Sequence, residues 1–335
     1  MDPYITFVVS ARNDKHGKNF LHRLQIFING LVGLSQENNL DFELIIVEWN
    51  PPKNNPRLKD SIIWPKNLKP NTIRIIEVPN EIHKSLPNSD KISLFQYSAK
   101  NVGIHRARGD YIIATNADIF FSEELIKFLS SKKLSKSCFY RINRYDVSGL
   151  IPMNLSLENQ LEFCSKKAFS VFMPNGIVWL KFIPHLWSLI TSYYFRLKRF
   201  IFSFRSYQGK FVISSKKSSI PHYNLHIYAS GDFFLMAKEH WYEIRGYPQL
   251  GSHNYIDSYP CFMADTIGLK QIVLKSPLRI YHMDHKRSLN FRRPSITIEK
   301  FYSDWKKTKK LGKLIHYNQD DWGFAHEQFP EYKIN

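Results

Sequence analysis

Asn116 and Asp118 follow a short apolar run, Tyr111-Ile112-Ile113-Ala114, that Gly109 precedes. In an extended chain, residues two apart point their side chains the same way. A carboxylate with an amide oxygen beside it is a hard donor pair that can hold a divalent cation. The apolar run reads as a buried strand of a sheet covered on both faces, and open α/β sheets bind ligands at the carboxyl ends of such strands. The same two residues also suit a polar turn with no ligand, and this stretch alone leaves both readings open.

Positioning such a pair requires a sheet and its helices, and the flanking sequence supplies them. Tyr4–Ser10 is a β-rich apolar run ending in Ala11-Arg12-Asn13-Asp14, and Phe20–Leu34 then has apolar residues at helical spacing. Phe42–Val47 is a second buried strand, stopped by Glu48-Trp49-Asn50-Pro51-Pro52, where the prolines forbid continuation. Thr72–Val78 is a third. A helix is predicted over Ser93–Arg108, with Gly109 as its stop, and another over Ser122–Leu129, with Ser122 as N-cap and Glu123 and Glu124 in the first turn. Strands separated by helical crossovers predict an α/β fold with a mostly parallel central sheet flanked by helices.

Composition narrows the class. With 335 residues, 43% of them hydrophobic, the chain can bury a large core, and disorder is not expected. The 47 Lys+Arg against 29 Asp+Glu give +18, which favours polyanionic partners: nucleic acid, an anionic membrane surface or phosphate-bearing substrates. Cys138, Cys164 and Cys261 are widely spaced and form no C-x-x-C, which argues against a disulfide framework or a zinc site. The N-terminus reads straight into a strand without a basic leader, so a cytoplasmic location is expected.

A family resemblance rests on longer blocks. Ser98-Ala99-Lys100-Asn101-Val102-Gly103-Ile104-His105-Arg106-Ala107-Arg108-Gly109-Asp110-Tyr111-Ile112, followed by Asn116-Ala117-Asp118, resembles the central motif of family-2-like glycosyltransferases of the GT-A (Rossmann-like) fold. There a helix and strand lead into an Asp-x-Asp motif that binds a metal and a nucleoside diphosphate. The first Asp is Asn116 here. Ser230–Pro248 resembles the family's donor and acceptor pocket block, Ile256-Asp257 stands where the family has Glu-Asp, and Tyr281-His282-Met283-Asp284-His285 falls where many members have a metal-ligating His. The resemblance covers roughly residues 4–121 and 228–288.

That resemblance implies a metal-dependent, inverting transfer from a UDP- or GDP-linked sugar. Asp118, Asn116 and His282 would hold the cation, Mn²⁺ or Mg²⁺, with a histidine favouring Mn²⁺. Ser10, Ala11, Arg12, Asn13 and Glu48 would contact base and ribose; Lys100, Asn101 and Ala117 would line ribose or phosphate. Asp257 is the expected base, with Asp232 as a rival or a partner for sugar hydroxyls. A sugar nucleotidyltransferase would instead need a Gly-rich loop with a Lys after the first strand, which Ser10-Ala11-Arg12-Asn13-Asp14 does not supply. A catalytically silent membrane-associated protein of the same fold is the other alternative.

The middle of the chain differs in character. Between Phe163 and Gly231 there are ten Lys or Arg and no Asp or Glu, and Gly176–Phe195 is nearly all apolar and aromatic. Lys181, Pro184 and His185 interrupt it, so an interfacial segment on an anionic membrane fits better than a transmembrane helix. A buried helical hairpin over the site is the competing reading. The division expected is 1–145 as the nucleotide-sugar half, 146–228 as an aromatic and basic helical insertion contacting membrane or acceptor, 229–290 as the acceptor half and 291–335 as a helical extension. The acceptor would be a glycan or lipid-linked molecule at the inner membrane face. Nucleic acid is not expected, because no recognised module accompanies the charge.

Overall fold

The computed structural model describes residues 2–14, 17–70, 72–174, 176–180, 203–207, 210–214, 225–251, 255–285 and 296–334. Strands β1 (Ile5–Ala11) and β2 (Phe42–Trp49) are buried at every position, and β3 (Ile73–Val78) at all but one. Such strands need cover on both faces. Alternate residues of β1 divide between two layers: Ile5, Phe7 and Val9 pack with Leu24, Phe27 and Leu31 of helix Phe20–Glu37, while Val8 packs with Ala99 and Val102 of helix Gln96–His105.

β4 (Tyr111–Thr115) pairs parallel with β1, and β1, β2 and β3 are parallel in turn. A turn leads to the short β5 (Ile119–Phe121), and helix Glu123–Ser130 follows with Ser122 as the expected N-cap, its hydroxyl accepting from Leu125 N. β6 (Cys138–Ile142), β7 (Arg144–Val147), helix Leu157–Lys167, β8 (Ala168–Met173), β9 (Gly176–Trp179), β10 (Ser203–Tyr207) and β11 (Lys210–Ser214) come next. β12 (Phe233–Ala237), β13 (Lys270–Leu274), β14 (Ile280–Met283) and β15 (Glu331–Ile334) complete the strands.

The central sheet runs β13-β6-β12-β4-β1-β2-β3-β15, with β12 and β15 antiparallel to their neighbours. The α/β architecture read from the sequence is therefore present. A second sheet runs β10-β11-β9-β8-β7-β14-β5. Because β12 opposes β4, Phe233 pairs with Thr115. The start of β12 thus joins the carboxyl ends of β1, β2 and β4 at one edge of the sheet.

Two sequence expectations shift. The boundary at 145/146 falls inside β7, which belongs to the second sheet. The segment expected to be a helical insertion is, where described, one helix followed by strands β8 to β11; runs such as Ala168-Phe169-Ser170-Val171-Phe172 and Gly176-Ile177-Val178-Trp179 are rich in aromatic and β-branched residues that favour a sheet. The span 181–195, most of the expected interfacial segment, lies outside the described residues.

Candidate functional site

Asn116 and Asp118 do not extend the strand together. The chain turns after β4, with Ile119 N donating to Asn116 O at 3.3 Å, and the two side chains go to different partners.

Asp118 faces β14, whose Met283 N donates to Asp118 O at 3.0 Å. His285 Nε2 lies 3.1 Å and His282 Nε2 3.7 Å from Asp118 Oδ2, so one carboxylate and two imidazoles present atoms within 4.8 Å of one another. Ligands bound at right angles about 2.1 Å from a cation sit about 3 Å apart, so this spacing suits a shared ion. Asp118 Oδ1 is buried and has no hydrogen-bond partner among the described residues. A buried acceptor without a donor is costly, and a cation is the partner that this donor set fits. Burial pushes the Asp118 carboxyl up, but His282, His285 and Arg23 outweigh it and hold the group well below the usual carboxylate range.

Asn116 is a bridge. Its Oδ1 accepts from Lys100 Nζ at 2.7 Å and Gln96 Nε2 at 2.6 Å, while its Nδ2 donates to Asp232 Oδ1 at 2.6 Å. Both acceptor directions of the oxygen are taken by these two donors. An ionised Asp in this place could not donate to Asp232.

The other oxygen of Asp232 accepts from Arg144 Nη1 at 2.6 Å, and Arg144 Nη2 donates to Asp146 Oδ2 at 3.3 Å. Asp146 Oδ1 lies 3.0 Å from His282 Nδ1. In the other direction, Lys100 Nζ donates to Gly231 O at 2.7 Å, and Gly231 N donates to Asp257 Oδ2 at 2.9 Å. One continuous hydrogen-bonded path therefore joins the Asp118 cluster to Asp257. Burial and the neighbouring Asp232 raise the Asp257 carboxyl against the opposing pull of Gly231 N, and burial lowers the Lys100 ammonium to about 8.

At the β1–β2 ends, Ser10 is level with Val47 and Ala11 with Glu48. Arg12 Nε donates to Asn50 O at 2.8 Å and its Nη1 pairs with Asp14 at 2.5 Å. Asn13 Nδ2 donates to Pro56 O at 2.8 Å. Glu48 is fully buried and accepts from Leu58 N; burial raises its carboxyl to about 7. Ala117 is buried in the turn beside Asp118. Asn101 bonds to the backbone of Tyr247. It both accepts from Tyr247 N and donates to Tyr247 O, at 2.8 Å each, and is wholly buried.

Sequence reading missed Gln96, Arg144, Asp146 and His285. Arg144 and Asp146 did leave a signal, opposite charges two apart in a strand and so on one face. His285 stood in the quoted block, but its three-residue spacing from His282 does not suit a strand; the pair meets because the chain leaves β14 after Met283.

No family model and no curated protein matches this chain. Solved structures with a similar course include the catalytic domain of Drosophila beta1,4galactosyltransferase 7 complexed with xylobiose, 12% identical, with 95% of this chain and 82% of that one covered at a TM-score of 0.41. GalNAc-T7 with UDP, GalNAc and Mn²⁺ is 12% identical over 92% and 48% of the chains, with a TM-score of 0.41. S. aureus TarS is 10% identical over 84% and 60%, with a TM-score of 0.42. The chain thus spans about half and three fifths of the length of the latter two.

Proposed function

We propose that this protein is a metal-dependent, inverting glycosyltransferase that moves a sugar from a UDP- or GDP-linked donor to a hydroxyl of a glycan or lipid-linked acceptor. The observation that carries the reading is the cluster of Asp118, His282 and His285, with a buried carboxylate oxygen that has no hydrogen-bond partner among the described residues, joined through Asn116 and Lys100 to Asp257. Asp118, His282 and His285 would hold the cation, and two imidazoles favour Mn²⁺ over Mg²⁺. A cation bound there would supply Lewis-acid neutralisation of the departing diphosphate.

The chain's own residues supply the rest. Asp257, with a raised carboxyl pKa and only Gly231 N as hydrogen-bond partner among the described residues, accepts the acceptor's proton. The acceptor oxygen bonds to the anomeric carbon as the bond to phosphate breaks and the nucleoside diphosphate leaves. Asp232, locked by Asn116 and Arg144, serves to hold the site and is a poorer candidate for base. Ser10, Ala11, Arg12, Asn13 and the loop buttressed by Glu48 form the edge for base and ribose. Release of UDP or GDP across a nucleotide-sugar panel, with and without Mn²⁺, tests the reading; no cation-dependent release from any donor would refute it.

The membrane part of the reading is supported by charge. Lys306, Lys307, Lys310 and Lys313 are exposed on and just after helix Ile298–Leu311, whose opposite face buries Phe301, Trp305 and Thr308. Among the described residues no helix is long and apolar enough to cross a membrane. Peripheral attachment to an anionic, cytoplasmic-side surface follows from the proposal, each lysine near that surface contributing about 1 kcal/mol. Sedimentation with anionic but not neutral liposomes is expected, and equal, negligible binding to both would remove this part.

A further inference from the structure

Asp146 lies in a cross-strand row of the second sheet. In the pairing of β7 with β14 it stands level with His282, and in the pairing of β7 with β8 it stands level with Ser170. Its Oδ1 is 3.0 Å from His282 Nδ1, and its Oδ2 accepts from Ser170 Oγ at 3.1 Å and from Arg144 Nη2 at 3.3 Å. The Asp146 side chain is 10% exposed and those of Arg144 and His282 7% each, so water competes little for these bonds. Arg144 also lies over the Phe172 ring at 4.0 Å and holds Asp232 with Nη1, which fixes the guanidinium from two further directions.

Beside the Arg144 guanidinium, whose Nε lies 3.0 Å from Oδ1, the Asp146 carboxyl is ionised and can only accept from the ring. The ring nitrogen facing it must therefore bear the proton, which leaves Nε2 of a neutral His282 with its lone pair toward Asp118. We infer that Asp146 is a positioning residue that fixes His282 in the Nδ1–H tautomer, so that Nε2 is presented as a ligand atom, with Ser170 and Arg144 holding Asp146 in place. This inference rests on the cation reading of the Asp118 cluster. Outer partners of this kind change metal affinity by about 10–100-fold when lost.

An Asp146→Asn variant keeps the side chain's shape but can turn an amide N–H toward His282 Nδ1, which favours the opposite tautomer. The test joins two measurements on the full-length chain. The first is Mn²⁺ affinity by calorimetry, for the parent, Asp146→Asn, Ser170→Ala and Asp118→Ala. The second is the ¹⁵N shifts of the His282 ring in metal-free protein at alkaline pH, assigned by comparison with His282→Gln. The expected result is Mn²⁺ binding by the parent, affinity lower by about 10–100-fold in Asp146→Asn and less affected in Ser170→Ala, and a parent Nδ1–H signature that is lost in Asp146→Asn. Parent-like affinity and tautomer in Asp146→Asn, with Mn²⁺ binding intact in the parent, would overturn the inference and leave the cation site standing. No Mn²⁺ binding by the parent would overturn both. A weaker-binding Asp146→Asn that keeps the Nδ1–H tautomer would show a merely structural role and overturn the positioning claim.

Discussion

The division of labour between Asn116 and Asp118 decides how each should respond to change. Asp118 contributes the cluster's carboxylate, so Asp118→Ala is expected to abolish donor turnover, whereas Asn116→Ala should only weaken it, as measured by nucleoside diphosphate release. Asn116→Asp is the more telling variant. It would set a carboxylate 2.6 Å from Asp232 Oδ1, so that one group must move or take up a proton, at a cost of about 1–3 kcal/mol in urea unfolding. Asp257→Asn is expected to lower kcat by about 10²–10⁴-fold while leaving donor binding intact, a split that steady-state kinetics and calorimetry would reveal. At this scale the sequence singled out Asp118 and Asp257 as candidates through local motifs. It could not show that Asn116 spends its oxygen on Lys100 and Gln96, because those bonds depend on how a helix packs beneath a turn. Nor could it join Asp146 to His282, which lie 136 positions apart.

Among elements, the strands at the centre were legible because burial on both faces leaves an uninterrupted apolar run. Their ends moved by only a residue or two: Tyr4–Ser10 became Ile5–Ala11, and Phe42–Val47 became Phe42–Trp49. The predicted helix over Ser93–Arg108 shortened to Gln96–His105, and it comes close to the sheet at Gly103, where an added Cβ would stand 2.5 Å from Val8 Cγ1 and 3.2 Å from Val47 Cγ2. Gly103→Val is therefore expected to destabilise by about 1–3 kcal/mol or more through overpacking, read from denaturant midpoints. The second sheet was not legible, since β5, β7, β9 and β14 have at most four residues each and draw their order from partners far away in sequence. Glu48, at the end of β2, makes a pH prediction. Its folded-state pKa is raised to about 7, so the folded chain keeps a proton that the unfolded chain gives up earlier, and stability falls as pH rises through that window. Glu48→Gln should flatten this slope, gaining on the parent by about 1–3 kcal/mol toward the upper end in urea titrations at a series of pH values.

The whole molecule links the Asp118, His282 and His285 cluster, on the seam between two sheets, to Asp257 beside the start of β12. The path runs from the residues that flank β4 and β12, Asn116 and Asp232, to β7 and β14, and so joins both sheets. The +18 charge adds a long-range attraction for anionic donors and surfaces that salt should screen. Composition showed that bias plainly, but the surface that uses it depends on where the chain places its lysines. The most direct measurement is nucleoside diphosphate release from a panel of UDP- and GDP-sugars by the parent and Asp118→Ala, each with Mn²⁺ and with chelator. Release by the parent that requires the cation and disappears in Asp118→Ala is the expected result. Release that persists with chelator, or in Asp118→Ala at the parent's rate, would contradict the account.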